Sequence, residues 1–131
     1  MSIIPHYYKS QMPDPWEAVE ANAGLTALVG SALKLEAGKA ALCAATDKPE
    51  FICMQDITGA DEGAAVHVIR VNEDTIYETQ LDAETAGLTV GEKYVITADA
   101  DAKLGSTTAS GVAEVVSFDG TEAGARVRVK F

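Results

Sequence analysis

The chain has 131 residues, of which 47% are hydrophobic and 23% are charged, and this composition excludes a wholly disordered protein. Its formal net charge of −10 argues against nucleic acid as a partner, because a DNA- or RNA-binding protein needs a basic face that displaces counterions. The length fits one domain with a sizeable core, and no apolar run approaches the roughly 20 residues of a membrane span.

Residues 1–24 differ in character from the rest of the chain. They hold three of its four prolines and three of its eight aromatic residues, namely Pro5, Pro13, Pro15, Tyr7, Tyr8 and Trp16. The prolines exclude a central strand and allow a helix to begin only after Pro15. A short helix over residues 16–22 is compatible with Asp14 as its N-cap, and Gly24 would end it. The first residues have neither a basic start nor an apolar core of signal-peptide length, which predicts a cytoplasmic protein.

Two interpretations of residues 1–24 are open. The segment is either a flexible leader without a role or an arm that docks on another chain through its aromatic side chains. The second is favoured, because Trp and Tyr are frequent anchors of interfaces and prolines reduce the entropy lost on ordering. The predicted partner-binding residues are Tyr7, Tyr8, Pro13, Pro15 and Trp16.

From Leu25 onward, short apolar runs are broken every 8 to 12 residues by turn-forming residues, which is the spacing of an all-β protein. Nine strands are predicted, near residues 32–36, 40–45, 51–57, 65–71, 75–81, 93–98, 103–107, 112–118 and 125–131. Only residues 82–88 could form another helical turn. The predicted fold is a small antiparallel β-barrel or β-sandwich, with residues 1–24 as an extended N-terminal arm and residues 25–131 as the body.

The closing stretch predicts a β-hairpin. One face of its last strand carries Val127, Val129 and Phe131, and the other carries Arg126, Arg128 and Lys130. Asp119-Gly120 is expected to supply the positive backbone angles of the turn. The acidic stretch from Glu73 to Asp101 is expected to face solvent.

Cys43 and Cys53 could face one another across a hairpin, but two reduced, buried thiols are favoured because both have apolar neighbours. A metal site would require both cysteines, His67 and a fourth ligand, without the closely spaced ligand pair that zinc sites use. His67 shares a strand face with apolar residues, which favours a hydrogen-bonded core or interface residue over a ligand.

Other chemical signatures are incomplete. Asp99-Ala-Asp101 resembles the start of a calcium loop, but the glycine and glutamate that should follow are missing. No phosphate-binding loop or nucleophile elbow is present, and only two histidines could act as bases. The sequence therefore predicts neither an enzyme nor a cofactor.

The body is similar to the head decoration (cement) proteins of tailed bacteriophages. The similarity lies in Gly-Ser-Ala-Leu-Lys-Leu at 30–35, Gly-Lys-Ala at 38–40, Thr-Asp-Lys-Pro-Glu-Phe-Ile-Cys-Met at 46–54, Val-Ile-Arg-Val at 68–71 and the closing Arg-Val-Arg-Val-Lys-Phe. These are strand and turn signatures, and they extend over residues 25–131. Another small virion component, such as a capsid spike or a head-tail joining protein, would match them equally well.

The resemblance implies a β-barrel or β-sandwich that binds the outside of an assembled capsid and stabilises it. It also implies the major capsid protein as partner, a homo-oligomer with a trimer favoured, and synthesis in the cytoplasm of a host bacterium. The alternative hypothesis is a free-standing module for a small ligand or carbohydrate, in which Trp16 serves as a stacking platform. That module would be a monomer.

Overall fold

The computed structural model describes residues 3–8 and 16–131, with only the backbone described for residues 5–8. These residues form no helix, which confirms the all-β fold class. The described strands are β1 (Ile4–Tyr8), β2 (Trp16–Glu20), β3 (Ala32–Glu36), β4 (Lys39–Leu42), β5 (Phe51–Cys53), β6 (Ala65–Arg70), β7 (Thr75–Gln80), β8 (Lys93–Tyr94), β9 (Ala113–Phe118) and β10 (Arg126–Lys130).

The strands form two antiparallel sheets of five strands each. Sheet A has the order β1-β7-β10-β9-β8, and sheet B has the order β2-β6-β5-β3-β4. Sheet B curls strongly, since Ala21, just past β2, makes a parallel bridge with Ala40 of β4 at the opposite edge. The backbone N–H of Asn22 donates to the Ala40 carbonyl at 2.9 Å. The convex face of sheet B is therefore the face that can pack on sheet A.

The larger hydrophobic core lies between the two sheets. Sheet A contributes Tyr77, Val127 and Val129, and the convex face of sheet B contributes Ile52 and Ile69, all at most 1% exposed. Direct cross-strand pairing of Ile52 with Ile69 explains why both point to the same side. Phe131 packs at the rim of this core, with its ring centroid 5.6 Å from that of Tyr77. The predicted apolar face of β10 is thereby confirmed.

A second core fills the concave side of sheet B. Leu33, Phe51, Cys53, Val66 and Val68 point into it, and the segment after β2 covers it with residues such as Ala21, Leu25 and Ala27. Where sheet A also covers the convex face, sheet B is buried on both faces. This explains why β5 is apolar and buried at three successive positions, Phe51, Ile52 and Cys53.

The described parts of the N-terminal segment are edge strands of the same fold. β1 pairs with β7 at one edge of sheet A, and β2 pairs with β6 at one edge of sheet B. Ile3, just before β1, is 0% exposed in the core between the sheets, and its N–H donates to the Gly30 carbonyl at 3.1 Å. The described parts of the predicted N-terminal arm are therefore attached to their own subunit. The division of the chain into an arm of residues 1–24 and a body of residues 25–131 stays a prediction.

Of two further predictions for residues 1–24, one is wrong and the other agrees with the structure. The helix over residues 16–22 is wrong, because residues 16–20 are the extended strand β2. Val19 on one side of β2 packs against the second core, and that pairing with β6 outweighs the local capping signal at Asp14-Pro15. The exclusion of a central strand agrees with the edge positions of β1 and β2.

The body follows the predicted strand order with local differences. Eight of the nine predicted strands are present, but residues 103–107 form only isolated bridges, from Leu104 to Leu81 and to Ile96. Residues 82–88 form turns and no helix. In the last hairpin the positive φ belongs to Gly124, at 84°, and not to Gly120, because the connection is longer than a two-residue turn.

Two positions in the body depend on the backbone conformation or the small size of particular residues. Ala37 and Gly38 both have positive φ, 51° and 81°, and join β3 to β4 as a two-residue turn between Glu36 and Lys39. At Gly111 the chain runs so close to β8 that an ideal Cβ would lie 2.3 Å from the Lys93 carbonyl oxygen. Glycine is needed at position 111 for space rather than for a left-handed conformation.

Candidate partner-binding surface

The structure places the five predicted partner-binding residues in different situations. Tyr7 and Tyr8 are residues of β1, and their backbones pair with those of Ile76 and Thr75 in β7. Pro13 and Pro15 lie outside the described residues. Trp16 is the first residue of β2, and its side chain is 60% exposed, the largest exposed fraction among the large hydrophobic residues that the structure describes.

The surface around Trp16 follows from the register of β2 on β6. Trp16 pairs with Ile69, Ala18 with His67, and Glu20 with Ala65, so these side chains share the convex face of sheet B. Five of the six are exposed, and Ile69 alone is buried. We name this surface the β2–β6 strip, formed by Trp16, Ala18, Glu20, Ala65 and His67.

The strip exists because sheet A covers only part of the convex face of sheet B. Ile69 is 1% exposed beneath sheet A, whereas Trp16, its direct cross-strand partner, lies beyond that cover. The side chains of Ala18, between Trp16 and Glu20, and of Ala65, opposite Glu20, are small and leave the strip low at these positions. The result is a narrow surface with one large aromatic side chain at one end and a carboxylate at the other.

Trp16 and His67 form the aromatic end of the strip. Their ring centroids are 6.2 Å apart, with the planes tilted by 47°. Gln55 Oε1 accepts a hydrogen bond from the backbone N–H of His67 at 3.1 Å, and His67 Nδ1 lies 3.1 Å from the same oxygen. Because that oxygen is an acceptor, the geometry selects the tautomer with the proton on Nδ1, which leaves Nε2 as an acceptor. His67 is hydrogen-bonded as predicted. It lies on the surface and not in the core, so its role as an interface residue stays a prediction.

The opposite face of β2 anchors the strand. Glu17 accepts two hydrogen bonds from Arg70, from Nε at 3.1 Å and from Nη2 at 2.9 Å. The guanidinium carbon of Arg70 also lies 4.9 Å from the centroid of the Phe51 ring. Glu17 raises the pKa of Arg70 by this hydrogen bonding and by its charge. These two parallel hydrogen bonds between Arg70 and Glu17 hold the beginning of β2, next to Trp16.

Glu20 is held much more loosely than Glu17. Its nearest cation in the described structure is Lys39, with Nζ 3.9 Å from Oε2, and the Glu20 side chain is 46% exposed. The strip therefore carries one carboxylate that is open to an incoming partner. No lysine or arginine lies among its five residues.

Two cations of β10 form ion pairs on sheet A. Arg128 on the outer face of sheet A contacts Asp119 at 2.7 Å and Glu78 at 3.4 Å, and Asp119 raises its pKa. Lys130 lies 3.3 Å from Glu114. Most acids between Glu73 and Asp101 are exposed as expected, with Glu78 as the buried exception.

A shallow cleft of mixed charge lies at the end of sheet A. It has a volume of about 410 Å³ and is lined by Lys48, Glu73, Asp74, Lys93, Glu114, Lys130 and Phe131. Its acidic and its basic side chains are equal in number. The cleft therefore presents no single charge to a ligand.

The two cysteines are free and buried in different places. Cys43 belongs to the core between the sheets, and Cys53 belongs to the second core. Burial raises the pKa of Cys43 to about 12 and raises that of Cys53 as well. Their placement in two separate cores confirms two reduced, buried thiols.

Within residues 3–8 and 16–131, no group of three or more His, Cys, Asp or Glu side chains converges so that it could hold a metal ion. In the same part of the chain, no helix is long and apolar enough to cross a membrane.

Comparison of the chain with protein-family models, with curated proteins and with solved structures gives no match. The β2–β6 strip is therefore interpreted from its own chemistry.

The sequence points to two residues of the strip and not to the other three. Trp16 is predicted as an aromatic anchor and His67 as a core or interface residue, whereas no prediction includes Ala18, Glu20 or Ala65. The signal was present as period-2 alternation in Trp16-Glu-Ala-Val-Glu20, in which residues 16, 18 and 20 share one face. The expectation of a helix after Pro15 concealed that alternation.

Proposed function

We propose that this protein is a structural virion protein that binds the outer surface of a bacteriophage capsid and stabilises it, as a homo-oligomer with a trimer favoured. The partner is the major capsid protein, and the attached protein resides on the capsid exterior after synthesis in the host cytoplasm. The support is the resemblance of residues 25–131 to decoration proteins, together with the all-β body.

The observation that carries the proposal is the exposure of Trp16. A tryptophan side chain that is 60% exposed on an edge strand, beside a second exposed aromatic ring, has the character of an interface anchor. Many copies on a symmetric shell would multiply a modest contact at each site into firm attachment. The net charge of −10 also suits a position outside the shell, away from the packaged polyanion.

The test is cosedimentation of the purified protein with empty shells of the major capsid protein encoded with this chain. We expect the wild-type protein to pellet with the shells and the Trp16→Ala variant to lose most of that attachment. Val90→Ala is the matched control, because Val90 is 58% exposed but lies before β8 at the far edge of sheet A. Absence of wild-type protein from the shell pellet would overturn the proposal.

Mass measurement in solution separates this proposal from the ligand-binding module. A decoration protein of the proposed kind is expected to be an oligomer, or a monomer that assembles only on the shell. A monomer that never binds shells but changes its Trp16 fluorescence on addition of an oligosaccharide would support the module instead.

A further inference from the structure

We infer that the β2–β6 strip recognises an extended, basic segment of the capsid protein, with two cationic side chains about four residues apart. This inference rests on the proposed function and specifies which part of the partner is bound. Three groups of the strip carry it: the Trp16 ring, the imidazole of His67 and the carboxylate of Glu20.

Each of these groups suits a cation or a hydrogen-bond donor. The exposed face of an indole attracts a guanidinium or ammonium group through its quadrupole. His67 donates from Nδ1 to Gln55, so its Nε2 lone pair remains to accept an N–H. Among the described residues, the cation nearest to the Glu20 carboxylate is Lys39 at 3.9 Å, and Glu20 can exchange that contact for a closer one.

The distances along β2 set the spacing of the partner. Trp16 and Glu20 are four residues apart on one strand face, which corresponds to roughly 13 Å at about 3.3 Å per residue. An extended segment with basic residues at positions i and i+4 spans the same length. Ala18 is the residue of β2 between the two ends, and its small side chain leaves room there for a side chain of the partner beside His67.

The edge of β2 fits an extended partner as well. Ala21 donates its N–H to the Ala64 carbonyl on the β6 side, while Asn22 donates to Ala40 on the other side. Because successive N–H groups alternate in direction along a strand, those of Ala18 and Glu20 point away from β6. No strand of the described chain pairs with residues 16–20 on that side.

Charge complementarity selects the basic partner over a second copy of this chain. Antiparallel self-pairing of β2 about Ala18 would bring Trp16 of one copy opposite Glu20 of the other and would supply no cation to either carboxylate. No lysine or arginine lies among the five residues of the strip, so the strip of a second copy offers no countercharge to Glu20. A basic segment of a different protein supplies that countercharge.

The experiment compares Glu20→Lys with Glu84→Lys in the shell cosedimentation assay. Both variants make the same change of charge, and Glu84 is an exposed residue of the loop that follows β7, away from the strip. We expect Glu20→Lys to weaken attachment by about tenfold or more, whereas Glu84→Lys stays within about twofold of the wild-type protein. Glu20→Gln should fall between them and should lessen the dependence of attachment on NaCl concentration.

The outcomes of this experiment separate the inference from the proposed function. Wild-type protein that fails to attach to shells would refute both. Wild-type attachment that Glu20→Lys leaves unchanged, or that both lysine variants weaken equally, would refute the basic-segment inference and leave the decoration role standing. Circular dichroism and urea unfolding of each variant exclude misfolding as the cause of a lost attachment.

Discussion

Replacing Ile3 by alanine tests whether the N-terminal segment belongs to the core of its own subunit. Ile3 is 0% exposed between the two sheets, so the change removes three buried carbon atoms. At about 0.8 kcal/mol for each carbon, the lost transfer free energy is about 2.4 kcal/mol. A cavity that does not collapse extends the range to about 2–5 kcal/mol.

Urea unfolding followed by far-ultraviolet circular dichroism measures this loss. With a slope of about 2 kcal/mol per molar urea, a loss of about 3 kcal/mol lowers the midpoint by about 1.5 M. Ile4→Ala is the matched control, because Ile4 is the next residue, points to the other face of β1 and is only half-buried. Its midpoint should fall by clearly less. Equal and small shifts for the two variants would refute the placement of Ile3 in the core.

Three more predictions concern the body. Gly111→Ala should lower the free energy of unfolding by about 1–3 kcal/mol or more, because the new Cβ would collide with the β8 backbone; a urea midpoint equal to that of the wild-type protein would contradict this. Cys43 and Cys53 should not react with a thiol reagent at pH 8 until the protein is unfolded, since burial raises the pKa of both; rapid labelling of folded protein would refute it. Asp47 has its pKa lowered below 3.8 by the hydrogen bond from Lys34, so its contribution to stability is complete above about pH 3.8 and is lost as the pH falls further. Asp47→Asn should consequently lower the urea midpoint at pH 7 and do so less at pH 3, and an equal loss at both values would be inconsistent with that linkage.

The body of the fold could be predicted from sequence because its strands carry their own signals. The alternation of valine with arginine and lysine in β10 determined which face of that strand is buried. Ala37-Gly38 marked the turn between β3 and β4, although the positive φ of Ala37 itself has no sequence signature. Residues 103–107 are predicted as a strand, but they include Lys103 and Gly105, which strands disfavour. They form bridges at Leu104 and backbone hydrogen bonds to Val95 and Thr97 instead of a regular strand.

The N-terminal segment and the strip were harder to predict, since both depend on contacts distant in sequence. The burial of Ile3 depends on a sheet whose other strands begin some 70 residues later. His67 shares a face with Ile69, yet one is exposed and the other is buried, because sheet A ends between them. Periodicity identifies the face of a strand, but only the packing of the two sheets decides how much of that face is covered.

Hydrogen exchange of the protein, free and bound to shells, tests the central claim most directly. We expect peptides covering residues 16–20 and 65–70 to gain protection on attachment, whereas those covering β9 and β10 keep the exchange rates of the free protein. Protection confined to β9 and β10, with residues 16–20 unchanged on the shell, would contradict attachment through the β2–β6 strip.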